Sequence, residues 1–362
     1  MVKTVSLIMV GTGDIARYVA GFSRIIPGMR VVAVVNPDIA QAEYFSRINH
    51  TGPAYATLED ALSDFSEAAV YLAVPHHLHF PYLREILSAG RPVLTEKPIT
   101  RIFSEGAQIA SEAQKAGIPV AVNYQSRYDP AFDRVRRQVD ARRFGRPLFA
   151  RCFVPWSRDS TYFTRSAWHS LQTEAGGGTL LTQGSHTLDL ALRLLGGVRS
   201  GEIAPIRVSA IRRSYRFPDI EVEDTAAATI EMENGTFAQI ISTMASPRES
   251  AMRFDLVCED ATVSWRGGVG PFRTTLRTRP GFRPQNIRDS PAGLPFGFHP
   301  LHRSLVGFRN LVAEGIPHRC TAVDSLPVLL AIELAYRATE NSSTAEATAN
   351  EIALLHSLAT ET

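Results

Sequence analysis

Two short motifs in this chain of 362 residues carry side chains that could move a proton to or from an alcohol. Lys97 lies in the sequence Glu96-Lys97-Pro98, and His186 lies in a stretch that begins with three glycines at 176–178. An ammonium group can stabilise a developing alkoxide, and an imidazole with a pKa near neutrality is a suitable general base. Lys97 is one of only three lysines among 38 basic residues, which favours a specific role for it.

Each motif also has a structural interpretation. The lysine could be an ordinary turn residue, and His186 could be a core histidine with Asp189 as a capping group. Thr182, His186 and Asp189 are spaced i, i+4 and i+7, which places them on one face of a helix predicted near Thr179–Leu195. Three glycines before a helix can bring backbone close to a ligand, and Gly184 within it suggests close approach by another group.

A third motif, GTGDIA at residues 11–16, predicts a dinucleotide-binding turn. It follows a predicted strand at Val5–Val10 and opens a predicted helix, as the G-x-G-x-x-G/A fingerprint requires. The glycines permit a tight turn and let backbone approach a pyrophosphate, whose charge the helix N-terminus stabilises. Asn36 ends the next strand, where an acidic residue would favour NAD. Because Asp38 is close enough to substitute and no arginine follows directly, we favour NAD slightly over NADP.

The elements that must position these motifs fall into two halves. Residues 1–124 alternate apolar runs of the buried-strand type with stretches of helical spacing, which predicts an α/β domain with a doubly wound parallel sheet. Residues 125–362 are richer in strands, with a hairpin signal at Asn234-Gly235, and predict an α+β domain with an open, mostly antiparallel sheet. Residues 266–303 contain six prolines and predict a loop, either a solvated surface segment or a flap or subunit contact.

Charge, apolar patterning and cysteine spacing exclude several classes of protein. The 38 basic and 36 acidic residues give a net charge of +2, which makes no case for binding nucleic acid or an anionic membrane. No apolar run reaches the roughly 18 residues of a membrane-spanning helix. Cys152, Cys258 and Cys320 suit neither a disulfide framework nor a zinc site, so we expect a reducing compartment, the cytoplasm. The three histidines of residues 76–79 lack nearby acidic or cysteine ligands, and we expect no metal.

The order and spacing of the motifs resemble those of the Gfo/Idh/MocA oxidoreductase family. The resemblance rests on the glycine turn, AVPHHLH at residues 73–79, the Glu-Lys-Pro motif, QSRYDP at residues 125–130, and the triple-glycine helix with its histidine and aspartate. It covers about residues 5–195. It implies an N-terminal Rossmann domain, a C-terminal open-sheet domain that mediates oligomers, and NAD(P)-dependent chemistry at a carbon of a sugar, inositol or related polyol.

The resemblance also implies roles for individual residues. Lys97 matches the lysine that contacts the reacting hydroxyl, His186 matches the acid/base, and Gln125 matches a position beside the nicotinamide. The residues expected at the cofactor are Gly11, Thr12, Gly13, Asp14, Ile15, Asn36, Val74, Pro75, His76, His79, Glu96, Lys97 and Gln125. The residues expected at the substrate are Lys97, Arg127, Trp156, Trp168, Thr182 and His186.

Two features bear on the substrate. Thr182 stands where the family helix commonly has aspartate, and threonine can hydrogen-bond but cannot supply the charge of a carboxylate. Trp156, Arg158, Tyr162 and Trp168 precede the three glycines. Aromatic and arginine side chains there could stack on a sugar or hold an anionic group, and core packing is an equal interpretation.

We therefore expect an NAD(P)-dependent oxidoreductase that acts on a secondary alcohol, or the matching ketone, of a sugar, inositol or sugar derivative. His186 would take the hydroxyl proton and Lys97 would stabilise the alkoxide while hydride passes to the nicotinamide. Two alternatives stay open: an enzyme that retains NAD⁺ and uses transient sugar oxidation for elimination or glycoside cleavage, and a non-catalytic dinucleotide-binding sensor. The resemblance also implies a homo-oligomer, either a dimer or a tetramer.

Overall fold

The chain forms two compact units. The computed structural model describes residues 4–196, 203–268, 273–278, 299–341 and 343–360. The first unit takes in Met1–Thr100, Gln108–Tyr128 and Phe296–Ala322, and the second takes in Arg101–Ala107, Asp129–Pro295 and Val323–Thr362. The domain boundary predicted after residue 124 stays a prediction, and the sequence analysis did not foresee that a C-terminal stretch returns to the first unit. No helix in the described ranges combines the length and the apolar character needed to cross a membrane.

A six-stranded parallel sheet forms the centre of the first unit. Its strands are β1 (Val5–Val10), β2 (Met29–Val35), β3 (Ala54–Tyr55), β4 (Ala69–Leu72), β5 (Val93–Thr95) and β6 (Val120–Val122). Their order is β3-β2-β1-β4-β5-β6, the doubly wound order that reverses between β1 and β4. The strands are almost continuously apolar because helices cover both faces of such a sheet. The predicted parallel sheet is confirmed.

Five helices connect the strands of the first unit. They are α1 (Asp14–Ser23), α2 (Ile39–Asn49), α3 (Leu58–Asp64), α4 (His79–Ser88) and α5 (Phe103–Ala116). The α2 and α3 helices begin at side-chain caps, where Asp38 accepts from the Gln41 amide and Thr57 from the Asp60 amide, each at 3.2 Å. The sequence analysis missed α3 and the strand β3 before it, since both elements are short.

An eight-stranded sheet forms the centre of the second unit. Its strands are β7 (Pro147–Pro155), β8 (Pro205–Arg213), β9 (Thr225–Met232), β10 (Phe237–Thr243), β11 (Ala251–Cys258), β12 (Ala261–Gly268), β13 (Arg273–Thr278) and β14 (Thr344–Glu346). The order is β13-β12-β11-β7-β10-β9-β8-β14, and only β7 and β10 pair in parallel. The predicted open, mostly antiparallel sheet is confirmed. The hairpin at Asn234-Gly235 joins β9 to β10, with Gly235 at a φ of 78°.

One face of this sheet is covered by helices. The helices that follow α5 along the chain are α6 (Pro130–Asp140), α7 (Thr161–Thr164), α8 (Gln172–Ala175), α9 (Ser185–Leu195), α10 (Pro300–Glu314), α11 (Leu326–Asn341) and α12 (Ala349–Thr360). Helix α9 lies against β7, β10 and β11, and α11 lies against β8. On β9 and β10, buried and less buried residues alternate, which is typical of an antiparallel sheet with one open face.

The loop predicted over residues 266–303 is wrong at both ends. Strand β12 continues to Gly268, β13 is an edge strand of the sheet, and α10 already begins at Pro300. The sequence of β13, RTTLRT, is rich in charged and polar residues, which suit an exposed edge but resemble a loop in composition. The remaining residues of this segment, 269–272 and 279–298, lie outside the described residues.

Helix α10 completes the core of the first unit. Leu301, Leu305 and Phe308 are spaced i, i+4 and i+7 and join the apolar cluster that contains Leu7 and Met9 of β1. Phe308 and Leu305 are fully buried. The first unit is therefore closed by residues that follow most of the second unit in sequence.

Candidate active site

The predicted cofactor residues of the first unit follow the carboxyl ends of neighbouring strands. The glycine turn at 11–15 follows β1, Pro75 comes shortly after β4, Lys97 after β5 and Gln125 after β6. Strands β1, β4, β5 and β6 are adjacent and parallel in this order, so these residues lie along one edge of the sheet. Ligands of doubly wound sheets bind at this edge, next to the point where the strand order reverses.

The two glycines of the turn differ in what surrounds them. Gly11 has a φ of 101°, and a Cβ atom there would lie 2.0 Å from the carbonyl oxygen of Ala73. The fold itself therefore requires glycine at this position. Gly13 is the N-cap of α1, and a Cβ atom there would meet no heavy atom within 4 Å in the described chain. Open space beside the first amides of α1 suits a pyrophosphate, so these residues fit a dinucleotide.

Asn36 is bonded on both sides of its amide group. Its Nδ2 donates to the Thr12 hydroxyl at 2.7 Å, and its Oδ1 accepts from the Asp38 amide at 2.9 Å. Asp38 in turn caps α2. Asn36 therefore links the end of β2 to the glycine turn. Contact of Asn36 with the cofactor ribose stays a prediction.

His79 holds the turn after β4 to the segment after β5. The ring is fully buried, with Nδ1 2.7 Å from the Pro98 carbonyl oxygen and Nε2 3.0 Å from that of Val74. Burial lowers the pKa of His79 to about 4, and the two carbonyl oxygens oppose this only in part. The Lys97–Pro98 peptide beside it is cis. His79 thus positions the backbone on both sides of this edge, and its predicted cofactor contact stays a prediction.

Glu96, the residue before the candidate catalytic lysine, belongs to a buried hydrogen-bond network. Its Oε1 accepts from the Tyr71 hydroxyl and, at 2.6 Å, from Nδ2 of Asn123. Ser304 of α10 donates to Oδ1 of Asn123 at 2.7 Å and lies 3.3 Å from Nε2 of His318. Burial raises the pKa of the Glu96 carboxyl group and, with the carboxylate beside it, that of Tyr71. No sequence motif marks these partners, because they come from four separate elements.

Gln125 and Arg127 follow β6 and have different environments. The Oε1 atom of Gln125 is buried, and no group in the described ranges donates to it. It is suited to accept a hydrogen bond from a ligand amide, such as the carboxamide of a nicotinamide. Arg127 is buried and donates to the Arg319 carbonyl oxygen at 3.0 Å. This contact gives Arg127 a structural role, and its predicted contact with substrate stays a prediction.

In the second unit, the three glycines make room for other groups of the protein itself. A Cβ atom on Gly177 would lie 2.1 Å from the Tyr336 hydroxyl, and one on Gly178 would lie 1.8 Å from the Glu223 carbonyl oxygen. Gly176 has a φ of 78° and lies against Arg101. The close approach that the sequence indicated therefore exists, and its partners among the described residues belong to the same unit. Approach of this backbone to a ligand stays a prediction.

Glu223 fixes the start of the helix that carries His186. Its carboxylate accepts from the amides of Gly178 at 2.8 Å and Leu180 at 3.0 Å, and from the Tyr336 hydroxyl at 3.1 Å. Burial raises the pKa of Glu223, and these three donors hold the increase back. The sequence analysis missed this residue, because a buried carboxylate next to a strand has no local signature.

The predicted helix over Thr179–Leu195 is confirmed, with a π-helical turn at Leu180–Gly184 before α9. Such turns recur at functional sites. The Thr182 hydroxyl shares its proton between the Gly178 carbonyl oxygen, at 2.7 Å, and Oε1 of Gln183. Thr182 is buried, whereas His186 is partly exposed. The described helix therefore presents the histidine and keeps the threonine inside, and a substrate contact for Thr182 stays a prediction.

The aromatic residues before the glycines form one continuous group. The Arg158 guanidinium lies 4.6 Å from the centre of the Tyr162 ring and 5.7 Å from that of Trp156. Tyr162 packs on His169 at 4.3 Å, and His169 stacks on Trp168 at 3.8 Å. The structure thus brings the two tryptophans predicted at the substrate into one cluster.

Two family models match two successive parts of the chain. The oxidoreductase family with an NAD-binding Rossmann fold matches residues 5–124, and the GFO/IDH/MocA C-terminal domain matches residues 132–264. The chain belongs to the Gfo/Idh/MocA oxidoreductase family, and its first unit has that family's NAD-binding fold. In the described ranges, no three His, Cys, Asp or Glu side chains form a group that could hold a metal ion.

Relatives and solved structures agree with this assignment. A 1,5-anhydro-D-fructose reductase from Ensifer adhaerens is 26% identical over 64% of this chain and 67% of the relative. An inositol 2-dehydrogenase from Corynebacterium glutamicum (strain R) is 30% identical over 42% of this chain and 45% of the relative. The chain thus matches about half to two thirds of the length of these relatives. The WlbA dehydrogenase from Bordetella pertussis, solved with NADH and UDP-GlcNAcA, shares the fold, with a TM-score of 0.82, 21% identity and coverage of 96% of this chain and 98% of that chain.

Substitution of the two glycines should separate folding from cofactor binding. Gly11→Ala should lower the free energy of unfolding by about 2 kcal/mol or more, because the backbone conformation and the Ala73 carbonyl oxygen both oppose a side chain. Gly13→Ala should leave stability nearly unchanged and weaken NAD⁺ binding at least about tenfold, because its methyl group enters the space beside α1. Denaturant unfolding and calorimetric NAD⁺ titration measure the two effects. Unchanged NAD⁺ binding by Gly13→Ala would place the pyrophosphate elsewhere.

Acidification should weaken the first unit through His79. The folded-state pKa of about 4 lies below the unfolded value near 6.5, so the unfolded chain takes up the proton first. The stability that His79 contributes is therefore present above about pH 6.5 and falls by up to about 3 kcal/mol as the pH approaches 4. The loss of unfolding free energy caused by His79→Gln should accordingly be smaller at about pH 5 than at about pH 7.5, as measured by denaturant unfolding. Leu83→Ala, at a buried apolar position of α4, should lower the free energy of unfolding by the same amount at both pH values.

Proposed function

We propose that this protein is an NAD(P)-dependent oxidoreductase that acts on a secondary alcohol, or the matching ketone, of a sugar, inositol or sugar derivative. The observation that carries the proposal is the shared sheet edge: the glycine turn after β1 and Lys97 after β5 lie at the ends of strands separated only by β4. Family membership and the inositol and anhydrofructose enzymes among the relatives support the substrate class.

Two side chains would act on the reacting hydroxyl. His186, which is partly exposed on its helix, would take the hydroxyl proton as general base in the oxidation direction. Lys97, stiffened by the following proline and by His79 behind it, would donate a hydrogen bond to the developing alkoxide. A bound nicotinamide ring supplies the redox step by accepting or returning the hydride.

We also propose that NAD is slightly favoured over NADP as the cofactor. The Asn36 amide is committed to Thr12 and to the Asp38 backbone, and the Asp38 carboxylate lies at the start of α2. A carboxylate near the end of β2 repels a 2′-phosphate. We therefore expect a lower KM for NAD⁺ than for NADP⁺ with the same substrate.

Alanine at either catalytic position should abolish most of the activity. With a panel of sugars and polyols, absorbance near 340 nm follows net reduction of NAD⁺ or NADP⁺. His186→Ala should lower kcat by about a hundredfold to ten-thousandfold, because no base then removes the hydroxyl proton. Lys97→Ala should lower kcat at least about a hundredfold, because the alkoxide loses its donor.

Matched variants control for charge and folding. Lys115→Ala removes another lysine from the first unit, and His356→Ala removes a histidine from α12 of the second unit, so both should retain full activity. Full activity of both Lys97→Ala and His186→Ala would overturn the proposal. Turnover without net NADH would support retained-cofactor chemistry instead, and tight NAD⁺ binding without turnover of any compound would support a sensor.

We also propose that the protein is located in the cytoplasm. There it would form a homo-oligomer through the open face of the eight-stranded sheet. Phe153, Ile241 and Ile211 lie in one cross-strand row over β7, β10, β9 and β8, and each is at least 40% exposed. Such a row favours burial against another surface. Light scattering should give two or four times the mass of one chain, and Ile241→Asp should lower that mass. A single-chain mass for the unsubstituted protein would contradict the proposal.

A further inference from the structure

We propose that Arg158 and Trp156 bind an anionic group of the substrate, so that the preferred substrate is a sugar acid or a sugar phosphate. This inference deepens the proposed oxidoreductase function and rests on it for the reaction. The binding group itself lies wholly within the second unit. Its ligand is a carboxylate or phosphate, which share the acceptor geometry that a guanidinium matches.

Within the described ranges, Arg158 is a partly buried arginine that forms no ion pair. Among the described residues, its guanidinium contacts the Trp156 and Tyr162 rings and the Tyr162 hydroxyl but no carboxylate. Several other partly buried arginines of this unit pair with acids, such as Arg193 with Asp140 at 3.3 Å, whereas Arg134 also forms no ion pair in the described ranges. A half-buried cation without a counter-ion is unfavourable unless a ligand supplies the charge.

Two buried donors in this group have no acceptor. Nε of Arg158 and Nε1 of Trp156 are both shielded from solvent, and no acceptor in the described ranges bonds either atom. Buried donors are nearly always paired in proteins, so two unpaired donors close together indicate the place of an acceptor. Both groups can only donate, which favours an oxyanion over a hydroxyl that must also find an acceptor for its own proton.

The aromatic rings hold the guanidinium in a fixed plane. Tyr162 and Trp156 contact Arg158 through their faces, and Tyr162 packs further on His169. Stacking of this kind leaves the edge of the guanidinium, with its N–H groups, available to a planar or tetrahedral anion. A lysine at this position could supply the charge but not the paired donors.

A hydrogen bond links this group to the helix of the candidate base. The Gln183 side chain bonds the Tyr162 hydroxyl, and Gln183 lies in the π-helical turn that ends just before His186. Gln183 and Thr182 also bond each other within the turn. An anion bound at Arg158 therefore lies next to the segment that presents His186, as expected if it belongs to the same substrate molecule.

Calorimetric titration of the full chain with matched sugars tests the inference apart from hydride transfer. The probes are D-glucose, D-galactose and D-mannose, each with its uronic acid and its 6-phosphate. We expect at least one acid or phosphate to bind at least about tenfold more tightly than its neutral parent. Tighter binding of the uronic acid assigns a carboxylate, and tighter binding of the 6-phosphate assigns a phosphate. Equal binding of neutral and anionic forms, or no binding of any anionic form, overturns the inference.

Variants assign the effect to these side chains. Arg158→Gln should weaken binding of the preferred anion about 10- to 100-fold and leave binding of neutral sugars unaffected. The affinity of Arg158→Lys for the anion should lie between those of Arg158→Gln and the unsubstituted protein. Trp156→Phe keeps the ring but removes one donor, so it should weaken the same ligand several-fold even if Arg158→Gln does not fold. Arg165→Gln, at an exposed position of the same segment, removes the same charge and should bind as the unsubstituted protein does. Equal losses in Arg158→Gln and Arg165→Gln would overturn the inference.

Turnover measurements distinguish failure of this inference from failure of the proposed function. Anion-selective binding without reduction of NAD⁺ or NADP⁺ would keep the inference and overturn the function. Turnover of neutral sugars with no preference for their anionic forms would keep the function and overturn the inference.

Discussion

The parallel direction of four neighbouring strands is the constraint on which the first unit depends. Because β1, β4, β5 and β6 run the same way, the segments that follow them meet at one edge. At this edge Gly11 lies so close to the Ala73 carbonyl oxygen that there is no room for a side chain at position 11. The positions of the glycine turn, of His79 and of Lys97 follow from this arrangement, because each of them lies in a segment that connects or follows these strands.

Buried carboxylates act as internal anchors in both units. Glu96 gathers the Tyr71 hydroxyl and the Asn123 amide behind the candidate catalytic lysine, and Glu223 gathers two backbone amides and the Tyr336 hydroxyl at the start of the helix with the candidate base. A buried carboxylate is stable only when several donors satisfy it, so each anchor imposes a specific geometry on its neighbours. In both units, a buried carboxylate thus holds the segment that carries the candidate catalytic residue.

The polar side chains expected at the cofactor or the substrate differ in how their hydrogen bonds are used. Asn36 and Thr182 are bonded within their own units. Gln125, Trp156 and Arg158 each keep a buried polar atom that no described group bonds. A ligand that forms hydrogen bonds with such unpaired buried atoms can gain much binding free energy, because it supplies the bonds that folding left unmade.

The sequence by itself determined most of the elements and the class of the protein. Periodic apolar runs are local, so they predicted the parallel sheet, the hairpin and the helix of His186, and the glycine turn with its flanking strand and helix indicated the dinucleotide fold. Only the tertiary structure decided which groups meet: that the three glycines face Arg101, Tyr336 and Glu223, and that a segment composed like a loop forms an edge strand. The physical reason is that a side chain's partners come from distant parts of the chain. Their identity depends on how elements pack, which no local pattern of residues records.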